Sequence, residues 1–234
     1  MPKEWHSPGT DKGFSYSEIL RLFVPEYEEL HSGVVEVLLS QQSDQSSILV
    51  LGSGEGEDAE RILDRIVDSN VVCVDNSEEM LDKTAKRLKR FSGRYRLINA
   101  DLLNYEPEGS YDSIVSVLTL HHFDLGGKRR LYGHLIRHLK GEGVFVVGDL
   151  FTYSQPKLNE RVLKEYERYI QSHPQLDDSL RQRALKGHNI RNINSLSSEL
   201  DILKSIGYNF SEVLYRQSRV ALLYAMKNIQ SLPD

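Results

Sequence analysis

Short, nearly continuous apolar runs recur along this chain at residues 48–51, 71–74, 97–100, 113–118 and 144–147, with amphipathic stretches between them. Runs of this kind predict strands buried on both faces, and the helices between them predict a mostly parallel sheet. Residues 58–67 place Ile62, Leu63 and Ile66 on one helical face. Residues 128–139 carry Leu131, Leu135 and Leu139 at a spacing of four. A further helix opens after residue 75, with Asn76 as its expected cap and Glu79 three residues on. Gly141 and Gly143 are expected to punctuate the turn into 144–147.

The flanks read differently. Residues 1 to about 15 are polar and expected to be loose. Residues 16–40 predict helix, with Leu20, Phe23, Leu30, Val34, Val35, Val37 and Leu38 apolar and Pro25 as a break. Residues 155–186 read as one long charged helix, and 195–206 as another that ends near Gly207. Strands at 211–215 and 220–226 lie too close for a parallel crossover, so they must pair antiparallel. The expectation is an α/β, Rossmann-like fold: a seven-stranded, mostly parallel sheet with helices on both faces and an antiparallel C-terminal hairpin. An N-terminal helical segment, 1–45, precedes the domain of residues 46–234. That segment and an insertion at about 153–190 would form a helical cap.

The strand at 48–51 runs into Gly52-Ser53-Gly54-Glu55-Gly56-Glu57-Asp58. A tight strand-to-helix turn rich in glycine is where a nucleotide-like ligand docks on a parallel sheet. The alternative is a tight turn without a ligand. The dinucleotide fingerprint G-x-G-x-x-G would need glycine where Glu57 stands, and no G-x-x-x-x-G-K-[ST] run is present. Carboxylates at 55, 57 and 58 would repel a pyrophosphate at the helix N-terminus. A ligand with a ribose and a positive charge but no phosphate fits better, and S-adenosylmethionine is such a ligand.

Composition narrows the class. The 234 residues suit one domain, with ordinary hydrophobic (39%) and charged (27%) content. A net charge of −5 gives no electrostatic footprint for nucleic acid. No apolar stretch suggests a signal peptide or a membrane span, so a cytoplasmic location is expected. The single cysteine, Cys73, lies in an apolar run and reads as a buried strand residue.

Several side chains are candidates for chemistry. Asp75 ends a strand about twenty residues after the glycines, where a carboxylate can accept from both ribose hydroxyls. Asp101 follows the third strand and suits an adenine amine or a turn. Met80 suits adenine packing or the core. His121 and His122 follow the fourth strand, where one of them is a candidate general base or a pocket-shaping residue, and Asp149 ends the fifth as a candidate orienting group. His134 and His138 lack a third ligand and an H-E-x-x-H pattern, so no metal site is expected. Tyr27, Tyr153, Tyr166 and Tyr169 are candidates for an acceptor pocket under the cap, or for ordinary amphipathic packing.

Four segments in order resemble the class I S-adenosylmethionine-dependent methyltransferases: Val50–Gly56, Val74–Leu81, Asn99–Leu102 and Tyr111–Phe123. The turn Leu139–Phe145 is similar as well. The resemblance implies methyl transfer to a small-molecule acceptor, with S-adenosylhomocysteine as product. It implies cofactor contacts from Gly52, Ser53, Gly54, Gly56, Asp75, Asn76, Met80, Asp101, Leu102, Val117 and Leu118. It suggests no direct nucleic-acid partner and no membrane, and a homodimer is compatible with it.

A closer resemblance, carried by Phe23–Tyr27, Asp75–Ser77 and the stretch from Leu180 to Tyr208, is to the carboxy-S-adenosylmethionine synthases of tRNA wobble-uridine modification. That resemblance adds Tyr27 as a cofactor contact and implies prephenate as co-substrate. The chain departs from that pattern at Val117, where those proteins have asparagine. Arg181 and Arg183 are the nearest counterparts of their carboxylate-holding arginine. A third reading is a cofactor-binding module without catalysis.

Overall fold

Seven strands form one sheet: β1 (Ser47–Leu51), β2 (Asn70–Asp75), β3 (Tyr95–Asn99), β4 (Tyr111–Val117), β5 (Leu139–Leu150), β6 (Phe210–Gln217) and β7 (Val220–Met226). Their spatial order is β3-β2-β1-β4-β5-β7-β6. The first five pair in parallel, and β7 runs antiparallel to both β5 and β6, as the short connection requires. The order reverses between β1 and β4, so a crevice opens at their carboxyl ends. This computed structural model describes residues 14–41, 46–187 and 193–227. The expectation for residues 1–13, and the boundary at 45, lie outside the described residues.

Alternation along the strands builds two cores. Ile48, Val50, Val144 and Val146 face one cluster, with α2 (Tyr27–Leu39), α3 (Glu57–Arg65), α6 (Pro156–Ser172) and α7 (Asp178–Gly187). Leu49, Leu51, Phe145 and Val147 face the other, with α5 (Leu125–His138) and α8 (Leu196–Ser205). Leu30 of α2 is fully buried and sits where a Cβ on Gly148 of β5 would come within 2.8 Å, so the missing side chain lets helix and sheet close up. Burying such a leucine contributes about 2 kcal/mol. On the opposite face, the buried Lys128 Nζ donates to Glu199 Oε2 at 2.7 Å, and Tyr132 also donates to Glu199, tying α5 to α8.

The helices differ from expectation in detail. Residues 16–40 split at Val24-Pro25 into α1 (Tyr16–Phe23) and α2. A capping box between Ser15 and Glu18 starts α1. In α4 (Glu78–Arg87) the cap is Ser77, not Asn76: the Ser77 hydroxyl accepts from Met80 N at 3.3 Å. The expected single helix at 155–186 is two, because the His173-Pro174 step ends α6. Gly141 and Gly143 lie within β5, where a register shift between Tyr111 and Ser113 absorbs extra residues in place of a separate turn.

Candidate active site

The glycine turn at the end of β1 is shaped by different needs at neighbouring positions. Gly52 has φ +66°, and a Cβ there would meet Thr119 at 2.3 Å. Gly54 has φ +53° and nothing within 4 Å of its missing Cβ, so the backbone there faces open space. The turn is held from behind by α4: Thr84 Oγ1 donates to Gly54 O at 2.8 Å and Arg87 Nε to Glu55 O at 2.8 Å. Gly56 caps α3 and does not line the cavity, contrary to its expected cofactor contact, because it packs toward Thr84.

A cavity of about 710 Å³ lies over this turn. Gly52, Ser53, Gly54, Asp75, Met80, Val117, Leu118 and Thr119 form its floor and sides, and Tyr16, Ser17, Leu20, Tyr27 and His31 close it from the N-terminal helices. A smaller recess shares Gly52 and Asp75 with it and is lined further by Asn76, Asp101, Leu102 and Phe123. The expected ribose and adenine residues therefore line the recess together with Asp75, and His122 lines the cavity. Leu118 holds φ +49°, a strained conformation of the kind that concentrates at ligand sites, and its amide donates to Gly148 O at 2.8 Å.

Asp75 is buried, yet both carboxylate oxygens are held. Oδ2 accepts from Gly54 N at 2.9 Å and Oδ1 from Ser77 N at 3.0 Å. Each oxygen keeps acceptor capacity for a ligand hydroxyl. Asp101 is exposed; Oδ1 accepts from Leu103 N at 3.1 Å, a turn role compatible with its place on the recess. Ser53 Oγ is buried without a hydrogen-bond partner, a polar atom suited to a bound group.

The acids at 55, 57 and 58 act differently from the reading that set them against phosphate. Glu55 Oε2 accepts from Ser17 N (3.2 Å) and Oγ (3.0 Å), and Lys83 approaches its Oε1 at 3.2 Å. Glu57 accepts from Tyr27 Oη at 2.8 Å, Arg21 at 2.5 Å and Arg61 at 2.6 Å. Asp58 pairs with His31 Nδ1 at 2.6 Å. They latch α1 and α2 onto the start of α3, with cations offsetting much of their charge. Burial pushes Glu57 upward, but hydrogen bonds from Arg61 and Tyr27 outweigh it and hold its carboxyl below the ordinary range. Burial likewise raises Glu55, and the Ser17 and Lys83 bonds bring it below that range. Tyr16 is pushed up to about 12 by burial, with Arg183 opposing and Asp75 and Glu55 adding to the shift.

Sequence reasoning missed His31. Its Nδ1 faces Asp58 while its Nε2 is buried without a hydrogen-bond partner, and the ring lines the cavity. With Nδ1 donating to the carboxylate, Nε2 is left as an acceptor toward a ligand. Glu57 and Tyr16 were equally hidden. A polar residue on each apolar helix face was the available signal, but the partners lie 27 to 39 residues away.

Other candidates land elsewhere. His121 and Asp149 do not line the cavity: His121 Nδ1 meets Asp149 Oδ1 at 2.5 Å, and its amide donates to Oδ2 at 2.9 Å. Asp149 is fully buried; burial raises its carboxyl, but the neighbouring His121 and its hydrogen bond hold it below the usual value. The pair anchors the loop after β4, and of the two adjacent histidines it is His122 that reaches the cavity. His134 and His138 both turn to Glu106. The four tyrosines are not gathered in one pocket: Tyr166 and Tyr169 line a second cleft, and Tyr153 donates to Ser218 O at 2.9 Å. Arg181 donates to His173 O at 3.3 Å, whereas Arg183 lies close enough for its charge to act on Tyr16.

Residues 48–143 match the family model described as a methyltransferase domain. A carboxy-S-adenosyl-L-methionine synthase from Nautilia profundicola is 24% identical over 91% of this chain and 90% of its own. A malonyl-[acyl-carrier protein] O-methyltransferase from Ilyobacter polytropus is 30% identical over 62% of this chain and 53% of its own. The plantazolicin methyltransferase BpumL, solved with a triazolic desmethylPZN analogue and SAH, superposes with a TM-score of 0.69 at 14% identity, covering 97% of this chain and 94% of its own. The sheet order and the glycine turn define a Rossmann-like methyltransferase fold. The match places a methyltransferase domain within this chain, and the cofactor that its sequence points to is S-adenosylmethionine. The orphaned Ser53 hydroxyl, the open face of Gly54 and the held carboxylate of Asp75 fit that molecule. Among the described residues no helix is long and apolar enough to cross a membrane.

Proposed function

We propose that this enzyme methylates a small-molecule acceptor that enters at the His122 end of the cavity. The observation that carries this reading is that Asp75 lines both the cavity and the recess. Asn76, Asp101 and Leu102 line the recess, and Leu118, Thr119 and His122 line the cavity. Gly52, Ser53, Gly54, Met80 and Val117 line the same cavity and complete the cofactor set. When bound, the cofactor supplies a methyl group on a sulfonium. In this reading Asp75 holds the ribose, Asp101 faces the adenine amine, and His122 takes the acceptor's proton. His121 and Asp149 keep the His122 loop in place. Alignment of the acceptor in a preformed cavity supplies much of the rate. The test is turnover of S-adenosylmethionine to S-adenosylhomocysteine across a panel of small hydroxyl, amine and carboxyl acceptors. Tight cofactor binding without turnover of any acceptor overturns the reading.

Matches across nine-tenths of both chains favour a second reading, synthesis of carboxy-S-adenosylmethionine. In this reading Arg183, whose charge acts on Tyr16 of the cavity wall, supplies the cation. Val117 is apolar where those proteins carry an amide, and that favours methyl transfer. The mass of the ligand that copurifies with the protein separates the two: a carboxylated cofactor establishes the second.

A further inference from the structure

The cleft that holds Tyr166 and Tyr169 is separate from the donor cavity. It spans about 490 Å³, open to solvent, between the α1–α2 junction, the end of β5, α6 and the β6–β7 turn. The chain from Leu20 to Tyr27 is the partition: Leu20 and Tyr27 line the first cavity, whereas Phe23, Val24 and Glu26 line this cleft. Its lining, mostly apolar and aromatic with a few polar groups, is that of a small-molecule site.

Arg219 sits in its wall, 5% exposed. The guanidinium lies 4.8 Å from the centre of the Tyr166 ring, and its Nη2 has no hydrogen-bond partner. Burial brings Arg219 down to about 10, with Tyr166 and Glu26 opposing the shift. Glu26, also buried and lining the cleft, has its carboxyl raised by burial. Leaving a buried guanidinium N–H unpaired is costly, and a planar fork of this kind matches a carboxylate. Phe23, Val24, Pro25, Leu150 and Val220 add apolar walls, with Ser218 beside Arg219 in the chain. Glu26, together with Glu165 at the cleft, disfavours a doubly charged anion.

We propose that this cleft binds a small organic monocarboxylate with an apolar or aromatic body, its carboxylate on Arg219 and its body against Tyr166 and Phe23. The site is independent of what the donor cavity methylates. The test is calorimetry on the intact protein saturated with S-adenosylmethionine, using phenylacetate, 2-phenylethanol and inorganic phosphate as probes. Phenylacetate is expected to bind, with the alcohol and phosphate at least about tenfold weaker. Arg219→Met is expected to lose at least about tenfold in phenylacetate affinity while its affinity for S-adenosylmethionine stays at wild type. Arg219→Lys, which keeps the charge without the fork, is expected to fall between, and it carries the test if the methionine variant does not fold. Equal binding of acid and alcohol, equal binding of phosphate and phenylacetate, or unchanged affinity in the arginine variants overturns the proposal.

Discussion

The amide of Gly54 donates to Asp75 Oδ2 at 2.9 Å, joining the first turn of the site to the end of the second strand. The bond aims the carboxylate along the glycine backbone and leaves its outer lone pairs for a ligand. Asp75→Asn keeps the shape but replaces one acceptor oxygen with a donor. Cofactor affinity is expected to fall by about ten- to a hundredfold, the worth of one or two hydrogen bonds to a charged group. Calorimetry with S-adenosylmethionine reads this directly, and an unchanged affinity removes the ribose role.

The turn glycines predict opposite phenotypes. Gly52→Ala drives a Cβ to 2.3 Å from Thr119, so the loss is expected in stability, by about 2 kcal/mol or more. Gly54→Ala meets no protein atom within 4 Å and extends into the open cavity. Its loss is expected chiefly in cofactor affinity, with a smaller stability cost of about 1 kcal/mol from its positive φ. Chemical denaturation and calorimetry on the two variants separate these effects.

The two neighbouring histidines are expected to divide as well. His122→Ala should lower turnover and leave the unfolding transition near wild type. His121→Ala strips the partner from the fully buried Asp149 and should cost about 1–3 kcal/mol. Equal melting temperatures for the two variants would contradict the assignment of His121 as an anchor.

The latch predicts an acid limit. Glu55 and Glu57 lie below their ordinary value of 4.5 in the folded protein. Their contribution is therefore fully present above that value and is lost as pH falls through the lower folded values. Unfolding free energy measured in urea should decline below about pH 5, and Tyr27→Phe, which removes one bond to Glu57, should make the decline shallower. An identical slope in the variant would take Tyr27 out of the latch.

Much of the framework was legible because its signals are local. The apolar runs, the glycine turn and the short β6–β7 connection each carry their meaning within a few residues, and all seven strands follow from them. The cap of α4 was misplaced by one residue because Asn76 and Ser77 are both good caps, and only backbone geometry selects Ser77. The site was half legible. Asp75 and the glycines could be read from their spacing, whereas His31 acquires its role from Asp58 on another helix. Asp149 looked functional because it ends a strand, yet its burial against His121 is visible only once the loop after β4 is folded.

Cys73 lies in the middle of β2, level with Val50 on one side and Leu97 on the other. Burial, with Asp58 and Asp75 adding to it, pushes its thiol up to about 12. The sole sulfhydryl of this chain is thus shut away in the core of the sheet, and thiol reagents reach it only when the sheet parts. Its modification rate is a built-in clock for opening of the strand that ends in Asp75, and that clock should slow as the donor cavity fills.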